Sequence, residues 1–509
     1  MTQQMADTGQ QAVANGNKTP VKKRLEENTE FLKKTLGIGE SFDIILRELN
    51  IGGVKAALIF VDGLTNDQIF TLILEHLAEL EREGMTINTF RKLFYRHVPY
   101  TEVSEAGYLE DVVDKVLSGP QALLIDGEEK AIIIDARVYP VRQPEEPDLE
   151  RVVRGSRDGF TETLVYNTAL IRRRLRDPRL RMEILQAGNR SKTDIVICFL
   201  QDVANPDLVD SVKEKIKSID IDGLPMAEKA VEELITPGSY WNPFPRVRYT
   251  ERPDVAAMHL LEGHVLVLVD TSPSVAILPA TYFHHLQHAE EYRQSPAVGV
   301  WLRTVRFVGV AISIFLLPLW LLAALHPELL PPALKFIGPK KVGAIPLVLQ
   351  FIIAEFAVDM VRLATIHTPT GLSVSVSLIA ALLIGDIAVS VGLFAPEVIL
   401  YTAVAATGIF LTPSYELSQA NRLVRLFLLA AVIVAGLPGF ILAVLITFAF
   451  LAATRSFGVP YLWPLIPFNW MAMKKVLVRS PVPVDNIRPS ILKPRDKYRQ
   501  SVPEPARKR

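Results

Sequence analysis

The chain has 509 residues, more than one ordinary domain holds, and its mean hydropathy of +0.24 is high for a purely soluble protein of that size. Fifty-five Lys and Arg balance 55 Asp and Glu, but the balance averages two unlike halves, and a single cysteine excludes an internal disulfide.

Residues 1–28 read as a polar, disordered leader without the charged start and apolar core of a secretory signal, so the hydrophilic region behind it is expected to stay cytoplasmic. Residues 29–145 form a first α/β subdomain. VKAALIFVDG has the composition of a strand, NDQIFTLILEHLAELERE the period of an amphipathic helix, and QALLIDGEEKAIIIDARVYP that of a hairpin turning at Asp126-Gly127. The Pro- and charge-rich VRQPEEPDLE, residues 141–150, reads as a linker.

A second α/β subdomain, residues 146–300, contains the helix DGFTETLVYNTALIRRRLRD, the strand TDIVICFL, the helix NPDLVDSVKEKIKSI and the apolar hairpin HVLVLVDTSPSVAILPA. Cys198, inside that strand, is expected to be a buried structural thiol. Arg172, Arg173, Arg174, Arg176, Arg179 and Arg181 are interleaved with acids and lack a nucleic-acid motif, so ion pairing between subdomains or subunits accounts for them and no nucleic-acid partner is expected.

In HHLQHAEEY, His284 and His288 stand one helical turn apart, but no zincin-type Glu or neighbouring Cys accompanies them. With His285 they suit an interfacial helix leading into the membrane, and no metal is expected. Neither a Gly-rich phosphate loop, a nucleophile elbow nor a paired Cys-x-x-Cys occurs, so the chain is expected to be neither an enzyme nor a cofactor carrier.

Residues 301–456 form an α-helical membrane domain of four to six elements. The apolar run from Val305 spans a bilayer of roughly 30 Å, VILYTAVAATGIFL is short for a full crossing, and GLPG at 436–439 breaks the long run Leu426–Ala453. The tail, residues 457–509, is basic and expected in the cytoplasm, which makes the number of crossings even.

IIAEFAVDMVR places Glu355, Asp359 and Arg362 on one helix face within this apolar half. Such a stripe must face protein or water, because charge at bilayer depth costs roughly 2.5–3.5 kcal/mol or more per group. It is either a salt-bridge lock between helices or the wall of a hydrated ion path, with Asp386 and Glu397 as contributors from neighbouring elements. So few spans enclose a pore only as an oligomer.

The ordered motifs GSRDGFTETLVYNTALIRRRLRDPRL, GNRSKTDIVICFL, NPFPRVRYTERPDVAAMHLLEGHVLVLVD, SYELSQANRLVRL and RSFGVPYLWPLIPF resemble the A subunits of spore germinant receptors over nearly the whole chain. TSPSVAILPATYFHHLQHAEEYRQ and GDIAVSVGLFAPE depart from the usual receptor pattern. The resemblance implies a multi-pass protein of the spore inner membrane, its N-terminal region and tail on the core side. It implies a homo-oligomer, a pentamer, conducting monovalent cations in germination, and leaves room for a small integral membrane partner protein. The alternative is a non-conducting membrane scaffold that docks germination proteins.

Overall fold

In the computed structural model the described residues are 18–80, 89–98, 100–139, 150, 152–236, 240–332, 338–340, 343–367, 387–481 and 485–499. The chain divides into two compact units: Met1–Gly238, Tyr249–Pro279 and Asp485–Arg509 make the first, Ser239–Arg248 and Ala280–Val484 the second.

The first unit opens with helix α1 (Leu25–Leu36), the hairpin β1 (Ile44–Ile51) and β2 (Val54–Val61), and helix α2 (Asp67–Ala78). Strand β3 (Val103–Ala106), helix α3 (Leu109–Leu117) and the hairpin β4 (Gln121–Ile125) and β5 (Ala131–Ile134) follow. Asn66 starts α2 because its side-chain oxygen accepts from the Ile69 N–H, satisfying a donor the first helical turn cannot pair internally. The sheet order is β1-β2-β4-β5-β3. Ala57, Ile59, Leu124 and Ile133 pack with α1 and α3 on one face, and Leu58, Leu123, Ile125 and Ile132 with α2 on the other. Cover on both faces explains why β4 and β5 are buried throughout, and apolar but for Gln121, instead of alternating.

The sequence of elements then repeats. Helix α4 (Leu164–Arg174) precedes the hairpin β6 (Leu180–Ala187) and β7 (Thr193–Leu200). Next come helices α5 (Pro206–Lys217) and α6 (Ala227–Ile235), strand β8 (Arg248–Thr250), helix α7 (Pro253–Glu262) and the hairpin β9 (Val265–Val269) and β10 (Val275–Leu278). The order β6-β7-β9-β10-β8 is that of the first sheet. Two subdomains therefore share one topology, a duplication that the residue types alone do not display. Cys198 is fully enclosed in the second core, and burial pushes its thiol above the usual range.

The arginine run joins the subdomains. Arg172, on α4, donates through Nε and Nη2 to the two Asp43 carboxylate oxygens at 2.8 and 3.1 Å, with both side chains buried. Arg181 reaches Glu40 at 3.0 Å. The proposed linker lies outside the described residues except for Glu150. Residues 485–499 are not a free tail: Arg488 Nε donates to the Leu261 carbonyl at 2.7 Å, Arg499 pairs with Glu262 at 2.8 Å, and Leu492 is buried.

The second unit is helical: α8 (Pro296–Leu325), α9 (Leu347–His367), α10 (Pro396–Phe410), α11 (Tyr415–Ala453) and the short α12 (Trp470–Leu477). Its limits differ from the expected 301–456. Tyr282 donates its N–H to the Tyr461 carbonyl and Ala280 donates to Ser456 Oγ, so the segments flanking the apolar helices are part of the same packed body. Among the described residues, α8 and α11 are long and apolar enough to cross a membrane.

α11 is two limbs. At Gly436, φ is 57° and ψ is −135°, a conformation closed to residues with a Cβ. A Cβ on Gly439 would lie 2.3 Å from the Ala431 carbonyl oxygen, eight residues back, so the second limb returns along the first. This is the break expected from GLPG, resolved as a tight helical hairpin. α10 approaches α8 so closely that a Cβ on Gly408 would sit 2.4 Å from the Gly309 oxygen.

Candidate functional site

α9 packs on α10 and touches α8 through Phe351, which lies edge-on against Trp320 near the far end of the unit. This lays the charged stripe along the helix from Arg362, near the start of α11, inward to Glu355. Facing it are Arg422 and Arg425 on the first limb of α11, three residues apart and therefore on one face.

Arg425 Nη2 meets Glu355 Oε2 at 2.7 Å, and its Nη1 donates to the Ser313 carbonyl on α8 at 3.0 Å. Arg422 Nη1 pairs with Asp359, while its Nη2 donates to the Glu355 backbone carbonyl at 3.2 Å. Residue exposures of 1% for Arg425 and 4% for Glu355 define a dry cluster, whereas the Asp359 side chain is 36% exposed. Three helices are thus tied at one level. Among the described residues, Glu355 Oε1 and the Nε groups of both arginines have no hydrogen-bond partner despite being buried.

Arg362 takes no part in this cluster; its guanidinium lies 4.9 Å above the Tyr415 ring. Asp386 lies outside the described residues. Glu397 sits at the start of α10, where Oε1 accepts from the Lys340 N–H at 3.2 Å, away from the stripe. Sequence reasoning missed Arg422 and Arg425. The available signal was their spacing at the head of a long apolar run, in SYELSQANRLVRL.

A second buried cluster sits where α8 begins. Glu291, wholly enclosed, pairs with Arg303 at 2.7 Å and also with Arg306. The three histidines nearby do not share a helix as their spacing suggests. His284–Leu286 is a single 3-10 turn, and His288 caps the separate helix Ala289–Arg293 by accepting the Glu290 N–H on Nδ1 at 3.2 Å. A β-region residue, Gln287, interrupts the helical path between them. His284 and His285 are buried. His285 Nε2 donates to the Pro245 carbonyl at 3.2 Å, and burial, with the charge of Arg248, depresses its pKa to about 3. Among the described residues no three metal-ligating side chains gather.

Comparison with known proteins bears on most of the chain. Residues 30–491 match the family described as Bacillus/Clostridium GerA spore germination protein. Stage V sporulation protein AF of Bacillus subtilis (strain 168) is 49% identical over 474 residues, covering 93% of this chain and 96% of that protein. Spore germination protein KA of the same organism is 31% identical over 482 residues, covering 93% and 88%. Among solved structures, the N-terminal domain of the A subunit of the Bacillus megaterium spore germinant receptor GerK3 is 26% identical. It covers 52% of this chain and 98% of that one, with a TM-score of 0.38.

Proposed function

The chain belongs to the GerA family of spore germination proteins, and on that premise we propose that it is an integral membrane subunit of a homo-oligomeric channel releasing monovalent cations during germination. The observation that carries this reading is Asp359. It lies part-exposed on a helix whose neighbouring exposed positions, Phe356, Met360 and Leu363, are apolar. A lipid surface penalises such a carboxylate; a second copy enclosing water beside it does not. In this reading Glu355 and Arg425 fix the helices, and Asp359 and Arg362 line the inner mouth of the path. Five copies in the spore inner membrane, with the first unit and residues 485–499 facing the core, complete the arrangement. A small membrane protein completes the assembly on the remaining apolar surface.

The second reading, a non-conducting scaffold for germination proteins, draws support from the pairing of Glu355 with Arg425 and of Asp359 with Arg422 within one protomer. Cation flux through reconstituted Asp359→Asn, measured beside its particle size, separates the two. Altered flux or selectivity with unchanged size is expected. Wild-type protein that forms no flux above empty vesicles, or an Asp359→Asn protein whose flux is unchanged, refutes the channel reading.

A further inference from the structure

We propose that residues 465–478 form an anchor lying in the interface of an anionic phospholipid bilayer, where it sets the depth of α8. This inference rests on the reading that α8 and α11 cross a membrane. Its first support is location. Arg303, in the second turn of α8, donates through Nη1 to the Lys475 and Val476 carbonyls at 2.8 and 2.9 Å. Those carbonyls belong to the last turn of α12, which has no internal partners for them. The helix is therefore pinned beside the point at which the first apolar helix begins.

The second support is the face it presents. Met473 and Val476 are buried toward the unit, and the turn between them and the preceding residues leaves Phe468, Trp470, Met471 and Leu477 exposed with Lys474 among them. An apolar stripe carrying a lysine suits the headgroup boundary, where the stem stays in the apolar layer and the ammonium reaches phosphate.

The third is the company it keeps. Trp470 is 65% exposed and Trp301, on the second turn of α8, is 66% exposed. Trp241 is 97% exposed and adjoins Asn242, whose Nδ2 donates to Thr454 Oγ1 at the end of α11. Three of the chain's five tryptophans thus stand free at the one end of the unit where its first apolar helix starts and its last finishes. Indole rings concentrate at membrane–water boundaries because one edge is apolar and the N–H seeks a partner. In water the same cluster would be an aggregation liability.

The full chain, reconstituted in phosphatidylcholine vesicles containing phosphatidylglycerol, provides the test, with the Trp470 signal taken as the difference between wild type and Trp470→Phe. We expect loss of that emission with lipids brominated near the headgroup and no loss with aqueous acrylamide. Lys474→Gln should reduce phosphatidylglycerol enrichment around the protein roughly fivefold. Quenching by acrylamide alone would place the segment in water. Protection from both quenchers would mean that a second copy or another protein surface covers it. Either result overturns the anchor. Carbonate extraction of the same vesicles keeps the two readings apart: a retained chain with acrylamide-quenched Trp470 loses only the anchor, whereas a released chain overturns both.

Discussion

Replacing Glu355 by Gln keeps the side chain's volume and one acceptor oxygen but withdraws the one buried counter-charge that Arg425 has among the described residues. Arg425 is enclosed, 2.7 Å from Glu355 Oε2, and its other named contact is the neutral Ser313 carbonyl. Removing one partner of a buried pair leaves an uncompensated charge and costs about 3–5 kcal/mol. For a body of this size, each kcal/mol lowers the midpoint by about 2–4 °C, so Glu355→Gln should unfold on the order of 10 °C earlier. Trp320 is a built-in probe, since it packs on Phe351 and Tyr401 at ring separations of 5.5 and 5.3 Å and so reports the union of α8, α9 and α10. Melting in detergent at a fixed scan rate, followed by the Trp320 emission taken as the difference from a matching Trp320→Phe protein, supplies the measurement. Glu355→Leu combined with Arg425→Met removes both charges and should recover most of the loss, because apolar replacement of a whole buried pair is often neutral. A Glu355→Gln midpoint within about 2 °C of wild type, on the same scale, would show that water already solvates the pair. A double variant no better than the single one would show that packing volume, not charge, is what α9 and α11 depend on there.

Three further outcomes follow from the described contacts. Asp43→Asn should destabilise the first unit by about 3–5 kcal/mol, read as faster hydrogen exchange in β1 and α4, and Arg172→Lys should not substitute for the forked arginine contact. His285, with its folded pKa depressed to about 3, binds a proton only on unfolding below about pH 6.5, so stability is present above that pH and lost as pH falls, by about 1.4 kcal/mol per pH unit. Melting at pH 7 and pH 5 checks this, and His285→Gln should flatten the difference. Arg488→Ala removes the donor to the Leu261 carbonyl and the 2.7 Å pair with Asp496, and trypsin should then cut at Arg495 or Lys497 faster than in wild type.

Features whose causes lie within a few residues are legible in the order of the amino acids. Asn66 and Asn205 mark helix starts because a side-chain oxygen reaches an N–H two or three residues on, and Asp126-Gly127 marks a hairpin because Gly127 takes a left-handed φ. The break at Gly436 and the shared face of Glu355, Asp359 and Arg362 are legible for the same reason: backbone period and local sterics set them. Which groups meet across the chain is set by packing. Arg425 stands 70 residues from Glu355, and Arg172 stands 129 from Asp43. Such pairs form when several elements pack at once, and any arginine in the chain carries the same charge beforehand. The misleading histidine spacing has the same origin, since Gln287 leaves the helical region where packing of His284 and His285 takes the chain inward. Periodicity fixes which side of an element is special; the fold chooses the partner, because desolvating a charge is tolerable only where an opposite one is already held in place.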